Sequence, residues 1–167
     1  MKNNKDFFYM NKALAQAKVA LKKNEVPVGA VIVNKEGVII ARAHNLIEKT
    51  QCHSAHAEAR AIQRACKKIK NWRLLDCTLY VTLEPCLMCL GLIQLSRIAR
   101  VVYGAPSTLF GPSAWANLQP PSFAKQLTIE AGVKKEESIE LLKLFFSDKR
   151  KKRKACREIE SRIHRKN

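Results

Sequence analysis

Cys86 and Cys89 stand two residues apart in "EPCLMC", directly behind the apolar run "CTLYVTL" and ahead of the apolar run "LGLIQL". A continuous apolar stretch of that length reads as a strand buried on both faces. Pro85 suits the entry of a helix, so the pair is expected at a strand-to-helix junction with its thiols at a helix amino end. The pair alone leaves several readings open: a redox dithiol, a structural disulfide, two inert core cysteines, or two corners of a metal site. A disulfide framework belongs to small secreted chains, and "MKNNKDFFYMNK" lacks the apolar segment and cleavage site of a secretory signal. Redox dithiols also favour helix amino ends, but here the proline precedes the pair and Leu87 and Met88 lie between the cysteines.

The rest of the chain supplies strands and helices in alternation. Phe7, Met10, Leu14, Ala17 and Leu21 recur at helical spacing, which predicts an amphipathic helix over 5–23. "VGAVIVN", a turn at "NKEG" and "GVIIARA" read as a hairpin, and residues 43–53 as irregular. Ser54 is the expected N-cap of a helix "AHAEARAIQRACKKI". "RVVYG" and "QLTIEAG" read as further strands, separated by a Gly/Pro/Ser-punctuated loop over 105–125, and a last helix is expected over 136–155. This alternation predicts an α/β fold, a three-layer α/β/α sandwich around a mixed sheet of about five strands. The 167 residues are read as one domain over 1–150 followed by a basic helical tail over 151–167. No apolar run approaches the roughly 18 residues of a membrane span, so a cytoplasmic protein without a membrane partner is expected.

"HAE" bears on the cysteine pair. His56 and Glu58 are expected to open one helix as Cys86 and Cys89 open another. Zinc prefers imidazole and thiolate ligands; a catalytic zinc keeps three protein ligands, whereas a structural one takes four. No second CxxC completes a four-cysteine site. One His and two Cys with a carboxylate two residues after the His make an open site with a base beside it. Residues two apart do not share a face of a regular helix, so His56 and Glu58 can converge only in its first turn.

H-x-E followed by P-C-x-x-C resembles the signature of the zinc-dependent nucleobase deaminases. In the same order, "EVPVGAVIV", the "HN" of "RAHN", "AHAE", "TLYVTLEPCLMC", "SRIARVVYGA" and "FFSDKR" are similar to the bacterial tRNA adenosine deaminases, from about Met10 to Arg150. The resemblance implies a cytidine deaminase-like fold and one Zn²⁺ per subunit on His56, Cys86 and Cys89. It implies hydrolysis of the wobble adenosine of a tRNA anticodon loop to inosine, with Glu58 moving protons to N1 and to the leaving ammonia. Asn45 matches the base-orienting amide, the Ala57 backbone a second base contact, and Phe145, Phe146 and Arg150 the RNA-contacting end of the last helix, although core packing is an equal reading for the two rings. His44 and His53 are read as ordinary loop residues. A homodimer also follows from the resemblance alone.

Two segments depart from the family pattern. The loop after the fourth strand reads "APSTLFGPSAW" where the family carries a basic and acidic pair and then Lys, with only Gly111 in common, and "CHS" replaces the usual Asp-Pro-Thr before "AHAE".

Charge fits such a substrate. The chain carries a net +17, and the stretch from Ser147 to Asn167 holds ten Lys/Arg against three Asp/Glu. A polyanionic partner is implied, although "KRKKRK" also reads as a solvated helix end. Two rival functions stay open on the residues: a deaminase of a free nucleobase or nucleotide, and a non-catalytic RNA-binding module with a structural zinc. Glu58 speaks against the second, which needs no general base.

Overall fold

The computed structural model describes residues 4–109, 111 and 127–164, with side chains to Arg157. Helix α1 (Asn4–Lys22) buries Met10, Ala13, Leu14, Ala17 and Ala20, one stripe at the helical period. Strands β1 (Gly29–Val33) and β2 (Ile39–His44) form the expected hairpin, with one register irregularity between Ile32 and Val33. Its turn is closed by Asn34, whose side-chain oxygen accepts the Val38 N–H at 2.8 Å. Residues 43–53 are not wholly irregular, because Ile47–Thr50 form a short helix α2. The carboxylate of Glu25, almost fully buried, accepts the Glu48 and Lys49 N–H groups at 3.1 and 2.8 Å. A partner 23 residues away thus supplies the hydrogen bonds that so short a helix cannot make itself.

Helix α3 (Ala57–Ile69), strand β3 (Thr78–Leu83), helix α4 (Leu87–Leu95) and strand β4 (Arg100–Ala105) follow. Then come strand β5 (Thr128–Glu130) and helix α5 (Lys135–His164). The sheet order is β2-β1-β3-β4-β5, antiparallel on the β2-β1-β3 side and parallel from β3 to β5. Helices α1 and α5 cover one face around Met10, Val31, Tyr80, Val102 and Val133. Helices α3 and α4 cover the other around Ile32, Ile62, Leu79 and Ile93. The expected three-layer mixed sheet of five strands is the architecture found. Helix α5 runs unbroken across position 150. Most of the expected 105–125 loop lies outside the described residues. No helix among those described is long and apolar enough to cross a membrane.

Two close contacts join α1 to the sheet. Gly29 begins β1 directly against the α1 backbone, where an added Cβ would lie 2.8 Å from the Gln16 carbonyl carbon. Asp6, buried in the first turn of α1, accepts hydrogen bonds from Tyr80 Oη at 2.7 Å and from both Arg100 guanidinium nitrogens at 2.8 Å. Arg100 also pairs with Glu130, so one cation links α1, β4 and β5.

The Arg100 hydrogen bonds hold the Asp6 carboxyl below its ordinary value, against an opposing effect of burial. A depressed carboxyl stabilises the fold above the unfolded-state pKa, and that stabilisation is lost as pH falls through the folded-state value. Asp6→Asn should therefore cost about 1–3 kcal/mol at neutral pH, measured by urea unfolding. The difference from the parent should shrink on acidification below the ordinary carboxylate range; a gap that stays constant down to acid pH would count against the ion pair as its source.

Candidate active site

Two helix amino ends meet at the carboxyl ends of β3 and β4. The N-cap of α3 is His56, not Ser54, and its backbone is extended (φ −68°, ψ 152°). Ser54 instead turns its hydroxyl to the Cys52 thiol at 3.2 Å. The cap bond comes from outside the segment: Asn45 Oδ1 accepts the Ala57 N–H at 2.8 Å in a buried position. A distant amide has replaced the local Ser/Thr cap. Because His56 lies just outside the helix and Glu58 within its first turn, the helical period does not separate their side chains, and both reach one cavity.

Cys86 caps α4 in the same extended manner (φ −70°, ψ 169°), and Cys89 follows in the first turn, fully buried. His56 Nδ1 lies 3.6 Å from Cys86 Sγ and 3.4 Å from Cys89 Sγ. One ligand atom from each of the three residues falls within 4.8 Å of the others. Metal–sulfur and metal–nitrogen bonds of about 2.3 and 2.0–2.1 Å in a tetrahedron place S and N about 3.5–3.6 Å apart. The donor set and its spacing therefore fit a four-coordinate, borderline-soft ion, with three protein ligands and one position left for another group.

Titration of these groups is coupled. A hydrogen bond from Cys89 is the largest influence on Cys86 and, with His56 beside it, holds that thiol down to about 4. The same bond, with burial, pushes Cys89 up. His56 is raised, chiefly by its hydrogen bond with Cys86. Glu58 is 4% exposed, and burial raises its carboxyl above the usual range, with His56 opposing.

His56, Glu58 and Cys86 open into a cavity of about 480 Å³, in the range of small-ligand sites. Val26, Val28, Asn45 and Ile47 line one part, Leu83, Glu84 and the segment from Pro106 to Leu109 another, and Leu142 and Phe146 of α5 a third. The structure thus brings together Asn45, His56, Glu58, Cys86 and Phe146, with Cys89 behind them and the Ala57 N–H engaged by Asn45. Phe145 points elsewhere: it is 7% exposed and packs edge-to-face on Phe146, with ring centroids 5.3 Å apart. Arg150 is exposed on α5 and does not line the cavity.

His53 is exposed in a turn, outside the metal-ligand cluster. His44, expected in a loop, instead ends β2 and is buried. Its ring lies 3.0 Å from Lys23 Nζ and 3.3 Å from Gln16 Oε1, and burial, with Lys23 next in weight, holds it down to about 4. Three positions that shape the cavity escape the reading of the sequence: Glu84 and Ile47, which line it, and Glu25, which holds the helix carrying Ile47. An acid next to an apolar run is the only signal the two glutamates carry, in "NEVPVG" and "LEPC".

A family model described as MafB19-like deaminase matches residues 4–155. A tRNA-specific adenosine deaminase of Bacillus subtilis is 48% identical over 155 residues, 92% of this chain and 96% of that protein. A solved structure from work on A-to-I editing by tRNA:A34 deaminases at the wobble position superposes with a TM-score of 0.76 at 36% identity. It covers 81% of this chain and 99% of its own. A guanine deaminase of Bacillus subtilis superposes with a TM-score of 0.60 at 34% identity, over 72% of this chain and 81% of its own.

Purified protein should bind one transition-metal ion per chain, read by elemental analysis after dialysis. His56→Ala and Cys89→Ser should each lose that ion, whereas serine at Cys52, Cys66 or Cys156 should leave the stoichiometry unchanged. Loss on substituting one of those outlying thiols, with Cys89→Ser still loaded, would place the ion elsewhere.

Proposed function

The chain belongs to the MafB19-like deaminases, among the tRNA-specific adenosine deaminases, and on that footing we propose that it hydrolyses the wobble adenosine of a tRNA anticodon to inosine. One observation carries the chemistry: a buried carboxyl, Glu58, shares a cavity roomy enough for a nucleobase with an N/S₂ metal-ligand set. His56, Cys86 and Cys89 would hold one Zn²⁺, which supplies a Lewis acid that makes water a competent nucleophile near neutral pH. Glu58 accepts the proton from the water attacking C6 and returns protons to N1 and to the departing nitrogen, so adenosine and water give inosine and ammonia. The raised carboxyl of Glu58 suits a group that must both take and give a proton. Asn45 is oriented by the Ala57 N–H on its oxygen, which leaves the amide NH₂ to donate to the base.

Adenine C6 cannot be reached inside a stacked helix, so the base must be splayed from a single-stranded loop. Phe146 offers a ring at the cavity for packing against that base or its neighbour. Beyond it α5 carries Lys151 to Lys154 and Arg157, all exposed. At 1.5 Å per residue these cations extend roughly 16 Å past Phe146, within reach of backbone phosphates. A cytoplasmic location accords with such a substrate. A homodimer is supported by the apolar side chains that α4 leaves exposed, Leu87, Met88 and Leu95. Guanine deamination is the second reading, favoured by the 34% identical guanine deaminase structure.

Inosine mapped by sequencing after incubation with a total tRNA pool should appear at a wobble position, and free guanine should turn over poorly. Efficient guanine turnover without inosine in tRNA would move the protein to the free-base branch. Glu58→Ala should keep its metal while losing deamination by at least about 10²-fold.

Each phosphate contact on single-stranded nucleic acid contributes about −0.7 to the slope of log affinity against log salt. Ending the chain at Arg150 should therefore shallow that slope by roughly two to three, if three or four tail cations hold phosphates. Single-turnover deamination at saturating RNA should hardly change. An unaltered slope would leave the tail a solvated helix end.

A further inference from the structure

The cavity has a second buried carboxyl. Glu84 follows β3, is 7% exposed and lines the cavity, yet the chemistry above gives it no proton to move. Its backbone N–H donates to the Ala105 carbonyl at 2.8 Å, continuing the parallel β3–β4 pairing by one residue. Its side chain then accepts the Ser107 N–H on Oε2, also at 2.8 Å and buried. Ser107 returns the chain onto the same group, because its carbonyl accepts the Gly111 N–H at 3.2 Å. Gly111 packs against that carboxylate: a Cβ there would press on Glu84 Oε2, lie 2.6 Å from Cδ and 2.8 Å from the Ser107 carbonyl oxygen. Residues 107 and 111 therefore close around Glu84, and Pro106 to Leu109 become a wall of the cavity.

The segment from Ala105 to Ala124 holds twenty residues without a charged side chain, in a protein of net +17. Position 111 faces the Glu84 carboxylate and has no room for a side chain. The wall from Pro106 to Leu109 has no cation for phosphates, so it is suited to meet a ligand by shape and apolar surface.

We infer that Glu84 is a positioning residue, anchoring the wall from Pro106 to Leu109 that determines which nucleobase and flanking nucleotides the cavity accepts. This rests on the deaminase reading of the cavity but not on which deaminase substrate is used. Three substitutions isolate the role. Glu84→Gln keeps an oxygen for the Ser107 N–H and should retain activity within about threefold. Glu84→Ala removes the anchor and should raise KM for an anticodon stem-loop about tenfold or more, with a smaller change in kcat. Gly111→Ala attacks the same contact from the loop side, far along the chain from the metal ligands, and should reproduce the KM effect.

Amide hydrogen exchange gives a readout independent of catalysis. The Ser107 and Gly111 amides should be protected in the parent and in Glu84→Gln, and exposed in Glu84→Ala, at unchanged metal content. Protected amides in Glu84→Ala would overturn the anchor. So would a Gly111→Ala protein with parental KM. Were guanine the true substrate, the exchange result would stand and the KM effect would appear on guanine instead, separating failure of the anchor from failure of the substrate assignment.

Discussion

The bond from the Ala57 N–H to Asn45 Oδ1 holds the site together. Helices α3 and α4 both begin at residues that do not cap themselves with their own side chains, His56 and Cys86. Uncapped amino ends are costly when buried, so each must be met by a group from elsewhere. Asn45 meets the first, and in doing so fixes its own amide at the cavity. The two helix ends then face each other, with imidazole and thiol groups a few ångströms apart. Their partial positive charge favours thiolates and any nucleophile formed there. Local capping by Ser54 would have satisfied α3 without bringing Asn45 to the cavity.

Buried acids carry much of the remaining order. In a chain with fourteen Asp and Glu residues against 31 Lys and Arg, Asp6, Glu25, Glu58 and Glu84 are all buried. A buried carboxylate requires hydrogen bonds or an opposite charge. Asp6 finds Arg100 and Tyr80, and links α1 to the sheet. Glu25 finds two backbone N–H groups and creates α2, which sets Ile47 in the cavity wall. Glu84 accepts a backbone N–H from the segment opposite. Glu58 differs: burial raises its carboxyl and its neighbours are the metal-ligand set. Three acids hold structure at stated atoms, and the fourth stands in the cavity beside the metal-ligand set.

Charge and apolar surface are divided in space. The cavity is lined mainly by apolar groups, with the polar atoms of Asn45, His56, Glu58 and Glu84 set among them. The cations lie along α5, outside the cavity. On the proposed function, a base entering the cavity would meet shape and a few polar groups, while its backbone stayed near the cations. Such separation lets phosphate contacts supply affinity without dictating sequence.

The strands, the principal helices and the metal-ligand set were legible because each depends on local pattern. Apolar runs in "GAVIV" and "TLYVTL" leave little choice but buried strands, and H-x-E with P-C-x-x-C carries its chemistry in consecutive residues. Asn45 could be singled out only through the resemblance, since nothing local separates it from a turn residue. Helix α2, the true cap of α3, the buried seat of His44 and the duties of Glu25 and Glu84 were decided by tertiary structure alone. Each depends on a partner between 12 and 28 residues away, at a distance no periodicity encodes. A side chain's residue type states what it can bond, but which backbone group it meets is set by how the layers pack. Here the sequence determined the candidate metal ligands, and the packing of five strands between two pairs of helices decided which groups surround them.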